Sequence, residues 1–253
     1  MPALYPTLQP ANFVSAASAG SAASVTTTGV TTTSGSLFVA PVFAFGNNIG
    51  STPLSDSNGN TWTAAITTQG STKGWGAMYY VANGIGGASH TFTFTPSSND
   101  FLVICVFEIP GAKTSGVLGN TNFSTASTTT HASGTVTVGA DDPEILIGGC
   151  ALSAAAEGAG IITSQFHALA VRLAATGTTE GACVGYRVAP ASTTDQFAVT
   201  TSSVQNETIL IAGFKAAEAS GGSGLTWAPI SILAGTGLSL IRTIASGSGM
   251  GRS

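Results

Sequence analysis

The chain has 253 residues, of which seven are Lys or Arg and eleven are Asp or Glu, so its net charge is −4. Charged residues make up 7% of the chain, whereas they make up about 25% of an average soluble domain. Because it has no basic run, it lacks the electrostatic footprint of a nucleic-acid-binding protein, and no nucleic acid partner is expected. No apolar stretch continues for the ~20 residues that a membrane helix needs, so no membrane partner is expected either.

So little charge leaves a surface of Ser, Thr, Gly, Ala and Asn, with weak repulsion between copies. Interface cores are also depleted in charge, so the composition favours a chain that covers much of its surface with neighbouring subunits. A secreted β-protein rich in Ser and Thr is the alternative. The N-terminal segment MPALYPTLQPANF lacks the basic region and apolar core of a secretion signal, so export by the usual route is not expected.

Strand-like runs rich in β-branched and aromatic residues recur along the chain, each bounded by Gly, Asn, Asp, Pro or Ser. Many short strands separated by turn signals predict an all-β fold, a jelly-roll-like antiparallel β-sandwich. The predicted strands, in chain order, are Ser36–Phe45, Thr61–Thr67, Gly76–Ala82, His90–Thr95, Asp100–Ile109, Gly134–Val138, Glu144–Leu152, Ala182–Val188, Gln196–Thr200 and Glu207–Phe214.

The hydrophobic pattern separates half-exposed strands from central ones. HTFTFT at 90–95 alternates strictly, which predicts a buried aromatic face and an outer Thr face. DFLVICVFEI at 100–109 and ETILIAGF at 207–214 are apolar at nearly every position, which is typical of strands covered on both faces. Ile162–Ala175 fits helical spacing and strand alternation almost equally, and the all-β context favours a strand.

Composition divides the chain into three parts. Residues 1–33 are predicted to be an N-terminal arm or edge strand, and residues 34–217 to be the β-sandwich. Residues 218–253 begin with the flexible linker EASGGSG and are predicted to be an extended C-terminal interaction arm. Within the sandwich, VTTTSGSLFVAPV and TVTVGADDPEILIGG share the order polar strand, tight turn, buried strand, which suggests two Greek keys of one jelly roll.

The C-terminal arm contains an apolar segment beyond its linker. Such a segment either folds back on its own domain or is buried in a neighbour, and we expect the second outcome. The predicted partner-binding residues are Leu225, Trp227, Ile230, Ile232, Leu233, Leu238, Leu240 and Ile241.

The three cysteines, Cys105, Cys150 and Cys183, each lie inside an apolar run. An odd number in such settings predicts buried free thiols in a reducing compartment. One disulfide with one free thiol is the alternative. No CxxC or CxxH spacing occurs, so no zinc site and no other cofactor is predicted.

The segment SDSNGNTW resembles the opening of a calcium-binding loop, because Asp56, Asn58 and Asn60 have the required spacing. However, Thr61 and Thr67 stand where such a loop needs Gly and Glu. An Asn-Gly turn that leads into a strand is therefore the favoured interpretation, and no metal site is predicted.

No catalytic residue is predicted, and the chain is not expected to be an enzyme. No spacing favours a pair of acidic residues as glycosidase catalysts, the three histidines are far apart in sequence, and no Ser/His/Asp arrangement is evident. Glu108 ends an apolar run and is predicted to be a hydrogen-bonding group of the structure rather than a catalyst. The other acidic residues considered are Asp141, Asp142, Glu144, Glu157 and Glu180.

Aromatic residues cluster between positions 60 and 82, and exposed aromatic rings are one way in which β-sandwiches bind sugars. Trp62 and the inward member of Tyr79 and Tyr80 are predicted to lie in the core. Trp75, between Gly74 and Gly76, is predicted to be the most exposed and is the candidate glycan-binding residue.

The succession TTTSGSLFVAPVFAF, SDSNGNTWTAA, AMYYVANGIGGASHTFTFT and FLVICVFEIPGA resembles a β-sandwich domain of phage structural proteins and of bacterial surface or secreted proteins. In that domain a buried strand precedes a D-x-x-G-N-x-W turn, a Tyr-containing strand, a Gly-rich hairpin and an apolar strand ending in E-x-x-G. The resemblance spans about residues 25–217. Its matching positions are Asp56, Gly59, Asn60, Trp62, Tyr80, Gly86, Gly87, Glu108 and Gly111.

The resemblance implies a scaffold with interaction roles and carries over no catalytic residue. Together with the low charge, it leads us to expect a structural protein of a phage virion, a capsid decoration or cement protein assembled in the host cytoplasm. Its expected partners are copies of itself and other virion proteins. The alternative is a carbohydrate-binding or adhesin module of a tail fibre or surface protein.

Overall fold

The computed structural model describes residues 9–51, 53–71, 74–140, 143–152, 161–162, 164–170 and 180–217. In these residues the chain forms β-strands and no helix, which confirms the predicted all-β fold. The same part of the chain therefore holds no helix long and apolar enough to cross a membrane.

The strands fall into two series along the chain. The first comprises β1 (Asn12–Ala17), β2 (Val25–Thr26), β3 (Leu37–Ala44), β4 (Leu54–Asp56), β5 (Thr63–Ser71), β6 (Gly74–Val81), β7 (Phe92–Phe94) and β8 (Leu102–Ile109). The second comprises β9 (Leu118–Ala132), β10 (Val136–Thr137), β11 (Glu144–Leu152), β12 (Ile161–Ile162), β13 (His167–Ala170), β14 (Gly181–Ala189), β15 (Thr194–Asp195) and β16 (Ala198–Lys215).

The strands build four antiparallel sheets. The first inner sheet has the order β1-β8-β3-β6-β5, and the first outer sheet has the order β2-β7-β4. The second inner sheet has the order β9-β16-β11-β14-β13, with β12 also paired to β16. The second outer sheet consists of β10 and β15.

Three apolar cores separate these sheets. The central core lies between the two inner sheets, and each of the two outer cores lies between one inner sheet and its outer sheet. Along β3, Leu37, Val39 and Phe43 enter the central core, whereas Phe38 and Val42 enter the first outer core. A strand covered on both sides must be apolar at every position. The four sheets thus form a stack of four layers.

The apolar runs DFLVICVFEI and ETILIAGF also form strands that are covered on both faces, as predicted. In β8, Cys105 and Phe107 face the central core, while Ile104 faces the first outer core. In β16, Leu210 faces the central core and Ile211 faces the second outer core. The alternating run HTFTFT is likewise confirmed, because Phe92 and Phe94 are buried and Thr93 is only half-buried.

The two strand series repeat one another. The inner-sheet order β1-β8-β3-β6-β5 becomes β9-β16-β11-β14-β13 when eight is added to each number. Across the central core, β3 contacts β11, β6 contacts β16 and β8 contacts β14. β5 also packs against β9 and β16, and no comparable packing of its counterpart β13 against β1 and β8 is seen in the described residues, so the contacts are only partly symmetric. The chain therefore packs two halves of equivalent strand order face to face.

The two inner sheets are in contact where β3 faces β11. A Cβ on Gly149 would lie 3.5 Å from the Cβ of Pro41, its counterpart by strand position, and 2.8 Å from Cζ of Phe43. A side chain at position 149 would therefore require the ring of Phe43 to move. The echo between VTTTSGSLFVAPV and TVTVGADDPEILIGG thus marks the equivalent strands β3 and β11 of two halves, not two Greek keys within one sandwich.

Several sequence-based predictions can be placed on this architecture. Residues 12–17 form an edge strand of the first inner sheet. His167–Ala170 is a strand, as favoured for that segment, and residues 171–175 lie outside the described part of the chain. β9, one of the two longest strands, was not predicted. The C-terminal interaction arm, 218–253, also lies outside the described residues.

Candidate functional site

The turn that follows β4 is organised around the buried carboxylate of Asp56. Its Oδ1 accepts hydrogen bonds from the backbone N–H of Asn58 at 2.9 Å and from Nδ2 of Asn60 at 3.1 Å. Its Oδ2 accepts one from Nε1 of Trp62 at 2.8 Å. Nε2 of His90 lies 3.1 Å from Oδ1, and both side chains are fully buried. Every oxygen of this carboxylate is therefore engaged by the protein.

This arrangement supports the turn interpretation of SDSNGNTW over the calcium loop. The carboxylate faces inward toward N–H donors, whereas a calcium ligand must present oxygen atoms to a shared centre. Gly59 has φ +72°, the left-handed conformation that an Asn-Gly turn requires. Within the described residues, no group of three or more His, Cys, Asp or Glu side chains could hold a metal ion.

The same turn binds the Gly-rich hairpin around Ile85. The backbone N–H of Ile85 donates to Oδ1 of Asn60 at 2.7 Å, and Nδ2 of Asn60 donates back to the carbonyl of Ile85 at 3.1 Å. Asn58 donates to the same carbonyl at 3.2 Å. Gly86 lies so close to the backbone of Thr33 that a Cβ there would overlap it. The motif residues thus fix loops to one another at one end of the first half.

Glu108 is buried, with 2% of its surface exposed, and holds the N-terminal segment in place. Its carboxylate accepts hydrogen bonds from Nδ2 of Asn12, from the backbone N–H of Thr33 at 2.7 Å and from Oγ of Ser36 at 3.0 Å. This is the structural hydrogen-bonding role predicted for Glu108.

The second half places a buried carboxylate in the matching location from a different strand. Phe38 pairs with Glu108, and its counterpart Leu146 pairs with Gly213, so Gly213 occupies the position of Glu108. There the carboxylate of Glu144 lies directly against Gly213, where a Cβ would overlap it. The buried carboxylate therefore comes from β8 in the first half and from β11 in the second, while its location in the half is the same.

Trp75, the candidate glycan-binding residue, is half-buried on β6 and packs against the first outer core. Its ring covers Gly70, the directly opposite residue on β5, because a Cβ on Gly70 would lie 2.3 Å from the ring. Trp62 is also half-buried, so Trp75 is not distinguished by its exposure. The contact with Gly70 is a cross-strand packing contact that fills the space of a missing side chain.

A groove runs beside Trp62 along the open side of the first half. It consists of two adjoining cavities of about 580 Å³ and 310 Å³ that share Ser51, Ala64 and Tyr79. β5 forms one wall and the segment from Asn48 to Leu54 forms the other. The cavity residues were not predicted as a site, because they come from four separate segments of sequence.

β9 provides the most extended open backbone among the described residues. It is 15 residues long, pairs with β16 along one edge, and has no strand paired to its other edge in the part of the chain that the structure covers. Its sequence, LGNTNFSTASTTTHA, contains no charged residue and no proline. Phe123 is 43% exposed on this strand. Natural sheets protect edge strands with charges, proline or bulges. β9 has neither charge nor proline, and its pairing with β16 shifts register at two places.

The three cysteines are buried and free, as predicted. Cys150 and Cys183 are directly opposite each other on β11 and β14. Burial raises the pKa of Cys105 and of Cys150 well above the usual range, so neither thiol is activated as a nucleophile. The predicted partner-binding residues Leu225, Trp227, Ile230, Ile232, Leu233, Leu238, Leu240 and Ile241 lie outside the described residues.

Comparison of the chain with protein-family models, with curated proteins and with solved structures finds no match.

Proposed function

We propose that this chain is a structural protein of a phage virion, a capsid decoration or cement protein that acts through protein–protein contacts. The observation that carries the proposal is the long edge of β9, which has neither charge nor proline. Its open N–H and C=O groups can pair with a strand of another subunit, which is a recurrent mode of protein assembly.

The partner that fits β9 best is β9 of a second copy. Antiparallel pairing of a strand with itself is isologous, so one surface serves both subunits and no second complementary surface is required. The Ser and Thr side chains carry no charge that would oppose a like strand. Phe123, exposed at this edge, supplies an aromatic side chain of the kind enriched in interfaces.

The low charge of the whole chain supports the same proposal. With 7% charged residues, the exposed surface provides little repulsion between copies. The phage assignment itself rests on the resemblance of the Asp56 turn and the Gly-rich hairpin to domains of virion proteins. The proposed location is the virion, after assembly in the host cytoplasm, and the role requires no catalysis.

Sedimentation velocity over a range of protein concentrations tests this proposal. We expect the native chain to self-associate, and we expect the double variant Thr125→Lys, Ala126→Lys to remain monomeric. Both positions are exposed on β9, and neighbouring residues of a strand point to opposite faces, so lysines would oppose lysines on both faces of the new pair.

The matched control is Thr114→Lys, Ser115→Lys, which adds the same charge to the exposed loop between β8 and β9. It should associate like the native chain. A native chain that stays monomeric throughout, or two lysine variants that weaken association equally, would show that β9 is not the contact.

A further inference from the structure

The groove beside Trp62 has the dimensions and the lining of a small-ligand site. Its two cavities, about 580 Å³ and 310 Å³, fall within the range of about 300–1,000 Å³ that is usual for such sites. Because the cavities share three residues, they adjoin one another. Together they provide space for a ligand of more than one unit.

The lining combines aromatic rings with uncharged polar groups. None of the described lining residues is charged, and the exposed ones bear hydroxyl or amide groups. Tyr79 is 3% exposed and forms part of the floor, while Trp62 is half-buried at the wall. The exposed polar residues along the groove are Asn48, Ser51, Thr61, Thr67 and Ser97.

Trp62 is held in one orientation before any ligand arrives. Its indole N–H donates to Oδ2 of Asp56 at 2.8 Å, and its ring meets Phe92 edge to face with centroids 6.0 Å apart. The polar atom of the indole is thereby satisfied inside the protein. The ring is left to offer apolar surface at the groove, without the entropy cost of fixing a mobile side chain.

The polar atoms at the other end of the groove are also fixed. Oδ1 of Asn48 accepts the backbone N–H of Gly50 at 2.9 Å, which orients the amide. Oγ of Ser97 donates to the carbonyl of Asn48 at 2.7 Å and can still accept a hydrogen bond. These groups can exchange hydrogen bonds with hydroxyl groups of a ligand.

We infer that this groove binds a neutral oligosaccharide. A sugar ring presents an apolar face of C–H groups, which packs on an aromatic ring, and a rim of hydroxyls, which pair with amides and hydroxyls. An acidic glycan or a nucleotide would need a cation, and the described lining has none. This site uses Trp62, in place of Trp75, whose ring is packed on Gly70.

A glycan array printed with neutral and acidic oligosaccharides tests the inference on the full-length chain. The decisive variant is Ala64→Leu, which fills the groove where its two cavities meet. The matched control is Thr63→Leu, which adds the same side chain one position earlier on β5 at an exposed residue outside the lining.

We expect the native chain and Thr63→Leu to bind the same neutral oligosaccharides, and Ala64→Leu to bind them at least about tenfold more weakly. If Ala64→Leu lowers the melting temperature, Thr67→Leu at the exposed rim replaces it. Absence of binding to every neutral glycan, preference for acidic glycans, or equal binding by the groove variant and its control would overturn the inference. None of these results depends on whether β9 pairs between copies.

Discussion

At the scale of single residues, the buried carboxylates of Glu108 and Asp56 are each enclosed by hydrogen bonds. Glu108 receives donors from Asn12, Thr33 and Ser36, and Asp56 receives donors from its own turn and from Trp62. A buried carboxylate is tolerated only with such partners. Through these hydrogen bonds the two carboxylates hold the neighbouring loops against the first inner and outer sheets.

Glu108→Ala should reduce the free energy of unfolding by about 2–4 kcal/mol, because it leaves buried donors without an acceptor. Urea denaturation followed by fluorescence measures this change. The control Glu180→Ala removes a half-buried carboxylate just before β14 and should change stability by less than about 0.5 kcal/mol. Equal losses in the two variants would contradict the role assigned to Glu108.

His131 makes the stability of the fold depend on pH. Burial lowers its pKa below the usual 6.5, and a backbone interaction with Thr128 opposes that shift only in part. As the pH falls below 6.5, the unfolded chain therefore binds more protons at this residue than the folded chain does, so stability rises with pH in this range.

Replacing His131 with Gln should flatten this rise, because the variant has no group that titrates at position 131. Unfolding free energies of both proteins at pH 5, 6 and 7 measure the effect, and the difference between them isolates His131 from the other histidines. Identical pH dependence in the two proteins would argue against the lowered pKa.

At the scale of elements, sequence patterns predicted the interior strands β3, β8 and β11, because a strand covered on both faces must be apolar throughout. β16 was predicted as two strands, Gln196–Thr200 and Glu207–Phe214, and is one strand, Ala198–Lys215. β9 was missed because an exposed edge strand of Ser, Thr and Asn carries no hydrophobic alternation. The sequence thus indicates which strands are buried more readily than it indicates which exposed segments pair with a neighbouring strand.

The same limit applies to the candidate sites. The Asp56 turn was predicted as a turn from its Asn-Gly pair. Its contact with His90, whose Nε2 lies 3.1 Å from Oδ1 of Asp56, was not predicted, because the two residues are far apart in the sequence. The groove joins segments around Asn48, Trp62, Tyr79 and Ser97, which only the sheet topology brings together. Trp75 was predicted to be exposed because glycines flank it in the sequence, whereas its ring packs against Gly70 on the neighbouring strand β5.

Gly70→Ala tests that packing between β5 and β6. A Cβ at this position would meet the ring of Trp75 at 2.3 Å, so the ring must move away from the first outer core. We expect a loss of about 1–3 kcal/mol in the free energy of unfolding, together with a shift in tryptophan emission. Gly20→Ala, where a Cβ would meet nothing within 4 Å, is the control and should leave the emission unchanged.

At the scale of the whole molecule, the chain resembles a dimer joined into one polypeptide. Equivalent halves bury their inner sheets against each other in a central core of large apolar side chains. In the sequence this duplication left only the short echo around β3 and β11, because the other equivalent positions have diverged. Even the buried carboxylate of each half comes from a different strand, Glu108 in one and Glu144 in the other.

If the halves are equivalent partners, a chain cut in the loop after β8 should reassemble. Fragments 1–114 and 115–253, expressed together, should co-purify as a one-to-one complex, whereas either fragment alone should aggregate through its exposed inner sheet. Size-exclusion chromatography with light scattering distinguishes these outcomes. A single fragment that is folded and monomeric would contradict the face-to-face packing.

Hydrogen exchange across residues 119–131, measured by mass spectrometry at low and high protein concentration, shows whether this weakly charged molecule assembles through the open edge of β9. We expect these amides to become protected as the chain associates, and we expect the Thr125→Lys, Ala126→Lys variant to show no such protection. Association of the native chain with unchanged exchange along β9 would rule out this edge as the contact.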